Sequence, residues 1–308
     1  MNIVFMGTPE FAVPCLQRLI DEKHNVLGVF TQPDKPKGRG HKIQFPPVKE
    51  LAVKYDIPVF QPQKMKDGEA LKILKELNPE LIIVVAYGKI LPKEILELPK
   101  YGCVNMHASV LPKYRGSAPI QWCVLNGEKI SGVTSMQMDV GLDTGDMLLC
   151  KTCEIGDDDT AGDLHDKLSL IGADVMSETI SMIENNSLSP KKQDDTKSTY
   201  APMLTKELCP VDWSKSAKEI HNQVRGLSPW PVATSVLNGK KFKIYKTTIS
   251  GKSNKKPGEI VNTDNTISVC CGDGNCINID ILQTEGKKAM SSADFLRGNH
   301  IEIGELFN

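Results

Sequence analysis

The sequence lacks a long apolar run. Its 308 residues contain no stretch of ~18 consecutive apolar side chains, the length that spans a bilayer. The apolar opening at residues 3–6 is too short for a secretory signal and has no basic flank. The sequence therefore predicts a cytoplasmic protein and gives no sign of a membrane or of an obligate protein partner.

The sequence also lacks an excess of either charge. Lys and Arg number 37 and Asp and Glu number 38, for a formal net charge of −1, which argues against an indiscriminate nucleic-acid binder. The balance is uneven, because residues 206–308 carry 14 cationic and 11 anionic side chains. This mildly basic end favours an anionic partner there, although such a surface is also a common solubility feature.

A disulfide framework and a zinc pattern are lacking as well. The nine cysteines are an odd number in a long chain without a secretory address, so we expect reduced thiols. Cys150 with Cys153, and Cys270 with Cys276, do not form the two knuckle-like ligand pairs that structural zinc uses. The sequence predicts neither a structural disulfide nor a bound metal.

A dinucleotide fingerprint is absent too. Gly7 follows the first predicted strand, but the next glycine is Gly28, so the Gly-x-Gly-x-x-Gly motif is missing. The pattern therefore argues against a nicotinamide cofactor.

Short apolar runs alternate with helical patterns in the first half of the chain. Leu71, Leu74 and Leu77 recur at the spacing of an amphipathic helix. Buried strands are predicted at residues 3–6, 26–31, 81–86 and 103–106. Right-handed crossovers between such strands predict an α/β fold with a doubly wound, mostly parallel sheet, whose ligands bind beyond the carboxyl ends of its strands.

A polar stretch separates this pattern from a second one. Residues 184–206 are rich in Asn, Ser, Lys, Asp and Thr, as linkers are. Beyond it, Ser216 and Glu219 form a capping box, and several turn signals separate short strands, which predicts a small β-barrel. We therefore predict three parts, with a catalytic domain at 1–188, a linker at 189–206 and a C-terminal barrel at 207–308.

Three polar residues could form an acyl-transfer site. A strand directs residues i and i+2 to one face, so Asn105 and His107 are expected to point into the same space. A glycine-flanked turn could bring the carboxylate of Asp143 to the imidazole. Taken alone, such residues are more often a turn cap, a packed histidine and an Asx-turn.

Longer motifs surround these residues. The chain carries Asn-x-His-x-Ser-x-Leu-Pro-x-Tyr-Arg-Gly at residues 105–116 and Leu-Asp-Thr-Gly at residues 142–145. With further matching segments, these motifs resemble the folate-dependent formyltransferases over nearly the whole length; the segments lie at residues 6–12, 85–92, 225–231 and 289–296. The resemblance implies a Rossmann-like formyltransferase domain followed by an oligonucleotide-binding-type (OB-like) barrel.

The resemblance also implies a reaction. The chain would transfer the formyl group of 10-formyltetrahydrofolate, a co-substrate, to the α-amino group of methionyl initiator tRNA, as translation initiation requires. Asn105 would stabilise the developing oxyanion, His107 would take the amine proton, and Asp143 would hold the imidazole in the useful tautomer. No covalent intermediate is expected on Ser109 or Cys103, because the amine attacks directly.

Folate recognition is expected to rest mainly on main-chain groups. A pterin presents a planar edge of donors and acceptors that N–H and C=O groups can match, and apolar walls suit a planar ligand. The resemblance implies a folate site made by Lys89, Ile90, Leu91, Ser109, Leu111, Pro112, Gln137, Asp139 and Val140. For the apolar members, plain core packing is the alternative interpretation.

Two cationic segments are the predicted tRNA contacts. The first is a loop punctuated by glycine and proline, with Lys35, Lys37, Arg39 and Lys42, and the resemblance implies that it contacts the acceptor stem. The second is a strand in which Lys240, Lys241, Lys243 and Lys246 interleave with apolar residues, so that the lysines could follow phosphates. Both segments also fit ordinary solvated surfaces.

Two other functions remain open from the sequence alone. A sibling formyltransferase that acts on a small amine, such as a glycinamide nucleotide or an amino sugar nucleotide, would share the three site residues without needing the cationic segments. A non-catalytic RNA-binding protein on the same fold is the other possibility, and the intact Asn105, His107 and Asp143 argue against it.

Overall fold

Residues 1–37 and 42–308 are described by the structure, a computed structural model. Contacts divide the chain into two compact units whose segments interleave. The first unit comprises Met1–Gly116, Ser131–Cys153 and His165–Tyr200, and the second comprises Ser117–Ile130, Glu154–Leu164 and Ala201–Asn308. The contiguous domains at 1–188 and 207–308, with their linker at 189–206, stay a prediction.

The first unit is built on one seven-stranded sheet. Its strands are β1 (Asn2–Gly7), β2 (Asn25–Phe30), β5 (Val59–Phe60), β6 (Leu81–Val85), β7 (Cys103–His107), β8 (Ile130–Gln137) and β9 (Met147–Glu154). They lie in the order β5-β2-β1-β6-β7-β8-β9. The pairs from β5 to β7 are parallel, and β8 pairs antiparallel with β7. The prediction of a mostly parallel, doubly wound sheet is confirmed.

Helices accompany the strands of this unit. They are α1 (Val13–Asp21), α2 (Pro47–Lys54), α3 (Glu69–Leu77), α4 (Lys93–Leu96) and, from His165 onward, the long α6 (Ala161–Glu184). All five side chains of β6 are buried, because a central parallel strand is covered on both faces. One apolar cluster joins Ile82 and Val84 of β6 to Leu74 of α3 and Ile95 of α4. Within residues 1–37 and 42–308, no helix has the length and apolar content to cross a membrane.

A short ribbon follows β2, where the sequence predicts a loop. Strands β3 (Lys35–Lys37) and β4 (Lys42–Gln44) pair antiparallel, with Lys37 opposite Lys42. The prediction of a plain loop at residues 34–42 was wrong for Lys35–Lys37 and for Lys42. Proline and glycine dominate the local pattern, and three-residue strands are too short to show alternation.

The second unit carries an antiparallel sheet. Its strands are β10 (Ala233–Leu237), β11 (Lys240–Lys252), β12 (Ile260–Asn262), β13 (Ile267–Cys270), β14 (Asn275–Thr284) and β15 (Met290–Ser291). They lie in the order β10-β11-β14-β13-β12, with β15 beside β14. The register between β11 and β14 shifts at three places, and such bulges bend strands and let a sheet curl. The predicted small OB-like barrel is confirmed as this curled sheet.

Helices α5 (Pro119–Leu125), α7 (Ala217–Gly226) and α8 (Ser292–Gly298) complete the second unit. The predicted capping box is present at the start of α7, between Ser216 and Glu219. A Cβ atom on Gly226 would lie 2.7 Å from Cγ of Leu125, so a glycine there allows α7 to approach α5 closely. The core of this unit is mainly aliphatic, and within it Phe242 makes edge contacts with Phe295 and Phe307.

A buried arginine of α7 anchors the loop between β9 and α6. Arg225 is only 4% exposed, and it donates to Oδ1 of Asn222 at 2.9 Å and to the main-chain oxygen of Asp159 at 2.9 Å. Burial lowers the pKa of its guanidinium, although nearby carboxylates oppose that shift. The partners of Arg225 lie within the second unit, so packing explains why an arginine begins the matching segment at residues 225–231.

Candidate active site

Asn105 lies near the carboxyl end of β7, and its carboxamide is free. Val84 of β6 and Met136 of β8 flank it in the sheet, which fixes the main chain on both sides. The side chain is partly exposed, and among the described residues nothing forms a hydrogen bond with it. A free carboxamide on a braced strand can donate to a bound molecule without first breaking a protein contact.

His107 is the last residue of β7, two positions from Asn105 and therefore on the same face. It is buried, and its Nε2 lies 2.8 Å from the carbonyl oxygen of Tyr114. Because a carbonyl oxygen only accepts, Nε2 carries the proton of the neutral ring. The lone pair is then on Nδ1, which lies 3.6 Å from Oδ2 of Asp143.

This geometry revises one predicted role. We predict from the sequence that Asp143 fixes the tautomer of His107. In the structure the carbonyl of Tyr114 fixes it, because a 2.8 Å hydrogen bond orients the ring more strongly than a carboxylate at 3.6 Å. Asp143 instead faces Nδ1, the nitrogen that holds the lone pair of the neutral ring, and a carboxylate in that place would stabilise a cationic imidazole.

Asp143 lies in the loop at residues 138–146 that joins β8 and β9. Its backbone is left-handed, with φ of 54°, and its Oδ2 accepts from the main-chain N–H of Gly116 at 2.8 Å. The neck of the loop is tight, since a Cβ atom on Gly145 would lie 1.7 Å from the oxygen of Gln137. The turn therefore requires a glycine at position 145, as the Leu-Asp-Thr-Gly motif supplies.

Together these groups suit acyl transfer. A carboxamide that aims its N–H at a developing oxyanion typically contributes about 3–4 kcal/mol to lowering the barrier. An imidazole beside a carboxylate can accept a proton from an attacking amine near neutral pH. The three residues predicted from the sequence are of the types that these two functions need, and the structure brings His107 and Asp143 together.

Apolar side chains stand exposed on two loops near this part of the sheet. Ile90 is 78% exposed, Val140 is 75% exposed and Leu142 is 59% exposed. Within the described residues, the main-chain N–H and C=O of Ile90 and Val140 make no hydrogen bond. Exposed apolar side chains beside free main-chain groups fit a planar ligand with a polar edge, so the residues present fit the predicted folate.

Other predicted folate residues use their side chains within the protein. Lys89 donates through Nζ to the main-chain oxygens of Pro62 and Gln63, and burial lowers the pKa of this amine while Asp67 opposes the shift. Gln137 donates to the oxygen of Cys103 at 3.2 Å. Asp139 accepts from Thr144 at 2.7 Å inside its own loop. Any ligand contact from these residues would use their main chain or their aliphatic portions.

The predicted residues between β7 and α5 are mostly covered. Ser109 is 1% exposed and donates to the oxygen of Lys113 at 2.7 Å. Leu111 is also buried, and Pro112 is half-buried. These residues shape the segment that carries the Tyr114 carbonyl and the Gly116 N–H. Their predicted contact with folate stays a prediction.

The predicted acceptor-stem segment is described in part. Lys35 is exposed, and Lys37 and Lys42 lie opposite each other in the ribbon. Arg39 lies outside the described residues. Nearby, Lys49 lies 2.6 Å from Asp34, and this hydrogen bond lowers the pKa of the Asp34 carboxyl.

Four predicted tRNA contacts of the second unit lie on β11, which is paired on both sides in the curled sheet. Phe242 and Ile244 of β11 are buried, whereas the lysines between and around them are exposed; these are Lys240, Lys241, Lys243 and Lys246. Of these, Lys241 and Lys243 project outward by simple alternation. Their predicted contact with phosphates stays a prediction.

The cysteines are the residues that a disulfide or a zinc site would use. All nine cysteines are free. Among residues 1–37 and 42–308, no group of three or more His, Cys, Asp and Glu side chains could hold a metal ion. Burial raises the pKa of the Cys103 thiol to about 12, so this residue beside the site is protonated and is no nucleophile at neutral pH.

Sequence reasoning missed the contribution of residues 191–200. Lys191 exchanges two main-chain hydrogen bonds with Met147 at 2.9 and 2.8 Å, and Oγ1 of Thr199 accepts from the N–H of Tyr114 at 2.9 Å. The sequence pattern predicts a linker here, because this stretch is polar and has no apolar periodicity. The only available signal was the Tyr-Arg-Gly motif, whose buried arginine needs a partner.

Two family descriptions match the chain. Residues 1–180 match the description "Formyl transferase". Residues 203–300 match "Formyl transferase, C-terminal domain". Together they cover most of the sequence, including β7, the Asp143 loop and the curled sheet.

Curated relatives match over nearly the full length. A protein of Alkaliphilus oremlandii called "Methionyl-tRNA formyltransferase" is 52% identical over 307 residues, which cover 99% of each chain. A protein of Clostridium novyi with the same name is 53% identical and covers 98% of each chain.

Solved structures share the fold at lower identity. The N-formyltransferase from Helicobacter canadensis, solved with folinic acid and dTDP-3-aminofucose, matches with a TM-score of 0.71 at 24% identity, covering 92% of this chain and 98% of that one. The sugar 3N-formyl transferase WlaRD matches with a TM-score of 0.68 at 24% identity, covering 94% and 99%. These likenesses establish the fold alone.

Proposed function

The chain belongs to the formyl transferase family, and from this premise we propose that it transfers the formyl group of 10-formyltetrahydrofolate to the α-amino group of methionyl initiator tRNA. The two relatives called "Methionyl-tRNA formyltransferase" share 52% and 53% identity with it over almost their whole length. The observation that carries the chemistry is the free Asn105 carboxamide on the strand that ends in His107, whose Nδ1 lies 3.6 Å from Asp143.

The folate co-substrate supplies the activated formyl group. Asn105 donates an N–H to the formyl oxygen as that oxygen gains negative charge, and it is positioned for this by the sheet on both sides. The main chain that carries the donor is fixed, and the carboxamide breaks no hydrogen bond within the described residues when it turns to the formyl oxygen.

His107 manages the proton of the attacking amine. Its Nε2–H is held by Tyr114, so the ring accepts the proton at Nδ1. Asp143 then stabilises the imidazolium, and the N–H of Gly116 holds the carboxylate in place. The protonated ring is also a donor that can return the proton to the departing nitrogen.

The acceptor is held by cationic side chains. The ribbon lysines and the exposed lysines of β11 are suited to phosphates, since ammonium groups contact phosphate oxygens without reading sequence. We infer that this enzyme of one-carbon metabolism works in the cytoplasm, where free thiols such as its nine cysteines stay reduced.

One experiment tests the proposal directly. The protein is incubated with methionine-charged initiator tRNA and 10-formyltetrahydrofolate. The amino acid is then released from the tRNA and identified by mass spectrometry. Formylmethionine is the expected product. A parallel reaction with an amino sugar nucleotide tests the small-amine alternative, and formylation of that amine with none of methionyl-tRNA would overturn the proposal.

A further inference from the structure

Gln193 makes an unusual set of contacts beside the site. Its Nε2 donates to the main-chain oxygens of Asp143 and Gly145, both at 2.8 Å. Its Oε1 accepts from Nε of Arg115 at 3.0 Å. Because a guanidinium only donates, this bond fixes which end of the carboxamide faces the loop. One side chain thus holds the main chain on both sides of residue 144.

Arg115 connects Gln193 to the residues around His107. It is only 2% exposed, its Nη2 lies 2.7 Å from Asp195, and its N–H donates to the oxygen of Thr199 at 2.8 Å. Its two neighbours in sequence contact the site, since Tyr114 accepts from His107 and Gly116 donates to Asp143.

These contacts close a ring. It runs from His107 through Tyr114, Arg115 and Gln193 to Asp143, and back to His107. Gln193 and its three hydrogen bonds are called the Gln193 bridge below. Without the bridge, Asp143 would sit in a glycine-rich loop at an unfavourable positive φ of 54°, held by its side chain alone.

We propose that Gln193 is a positioning residue for formyl transfer, and this rests on the function proposed above. It touches no reacting atom. It holds the backbone of Asp143 so that the carboxylate stays beside Nδ1 of His107. A displacement of about 1 Å in a catalytic group can cost ~10²-fold in rate, so the bridge has a large effect on turnover and a small one on substrate affinity.

The test uses Gln193→Glu with a matched control. The variant keeps the oxygen that accepts from Arg115 and loses both donors to the loop. Gln223 in the second unit makes the same kind of contact, because its Nε2 donates to the oxygens of Leu208 and Pro210, both at 2.9 Å. Gln223→Glu therefore removes an equivalent pair of hydrogen bonds away from the site.

We expect kcat of Gln193→Glu to fall by about 10- to 100-fold, with KM for both substrates within about 3-fold. Gln223→Glu, with a similar change in Tm, should leave kcat within about 2-fold of wild type. In an Asp143→Ala background, Gln193→Glu should change the single-turnover rate by less than about 2-fold, because the bridge acts through Asp143. An equal loss with and without Asp143, or equal losses in the two glutamate variants, would overturn the proposal.

A measurement without turnover keeps the inference separate from the proposed activity. The N–H of Gly116 donates to the Asp143 carboxylate, and NMR of protein carrying 13C-carbonyl arginine and 15N-glycine selects the few Arg-Gly pairs. We expect Gln193→Glu to shift the Gly116 amide proton upfield and to speed its exchange by about 10-fold, whereas Gln223→Glu leaves it unchanged. An unaltered Gly116 amide in folded Gln193→Glu refutes the bridge, whichever substrate the enzyme takes.

Discussion

Replacing Asn105 is expected to separate catalysis from stability. The carboxamide makes no hydrogen bond within the described residues, so Asn105→Ala removes no protein contact of that kind. We expect Tm to stay within about 2 °C of wild type. The lost oxyanion donor costs about 3–4 kcal/mol of barrier, which corresponds to a fall in kcat of between about 10² and 10³.

The assay is steady-state formylation of charged initiator tRNA, with thermal unfolding measured on the same preparations. Asn25→Ala is the matched control, because Asn25 begins β2 in the same sheet and its side chain donates to Asn2 rather than facing the site. Asn105→Asp is a second variant that keeps the shape and replaces the donor by an acceptor, so its loss should be at least as large. A kcat for Asn105→Ala within about 3-fold of wild type would refute the oxyanion role.

Three further predictions address charge. Asp143→Asn keeps an oxygen for the Gly116 N–H but removes the negative charge beside His107, so kcat should fall by about 10²-fold with little change in KM; an unchanged kcat would contradict the role. Burial raises the pKa of the Asp280 carboxyl, so the protein loses stability as pH rises through that pKa. Asp280→Asn should therefore raise Tm by roughly 2–4 °C at pH ~7, and its Tm should converge with that of wild type below about pH 4. A lower Tm for the variant at neutral pH would contradict this. Substitution by alanine of the four β11 lysines, which are Lys240, Lys241, Lys243 and Lys246, should weaken tRNA binding. It should also reduce the slope of the logarithm of the binding constant against the logarithm of salt concentration by up to about 3–4 in magnitude. An unchanged slope would exclude a phosphate track at these residues.

The strands around the site could be predicted because their signals are local. The run at β6 is wholly apolar and wholly buried, and β7 ends at the residue that alternation requires to share a face with Asn105. Strand ends in a parallel sheet gather at one edge. The pattern alone therefore located Asn105 and His107 beside each other.

The remaining part of the site depends on contacts that no local pattern encodes. The Tyr114 carbonyl that fixes the tautomer of His107 is a main-chain group, which any residue type could supply. Gln193 lies 50 positions after Asp143 in a polar stretch, where one carboxamide looks like any other. Asp143 is predicted from its glycine-flanked turn and then from the family motif, but its approach to His107 requires a loop to fold back over the sheet, which the local pattern does not specify.

The most direct test of the central claim is the single-turnover rate of formyl transfer to bound methionyl-tRNA for wild type and for His107→Ala. The account predicts that the substitution slows this step by at least about 10²-fold and leaves tRNA affinity within about 2-fold. Equal single-turnover rates for the two proteins would contradict it.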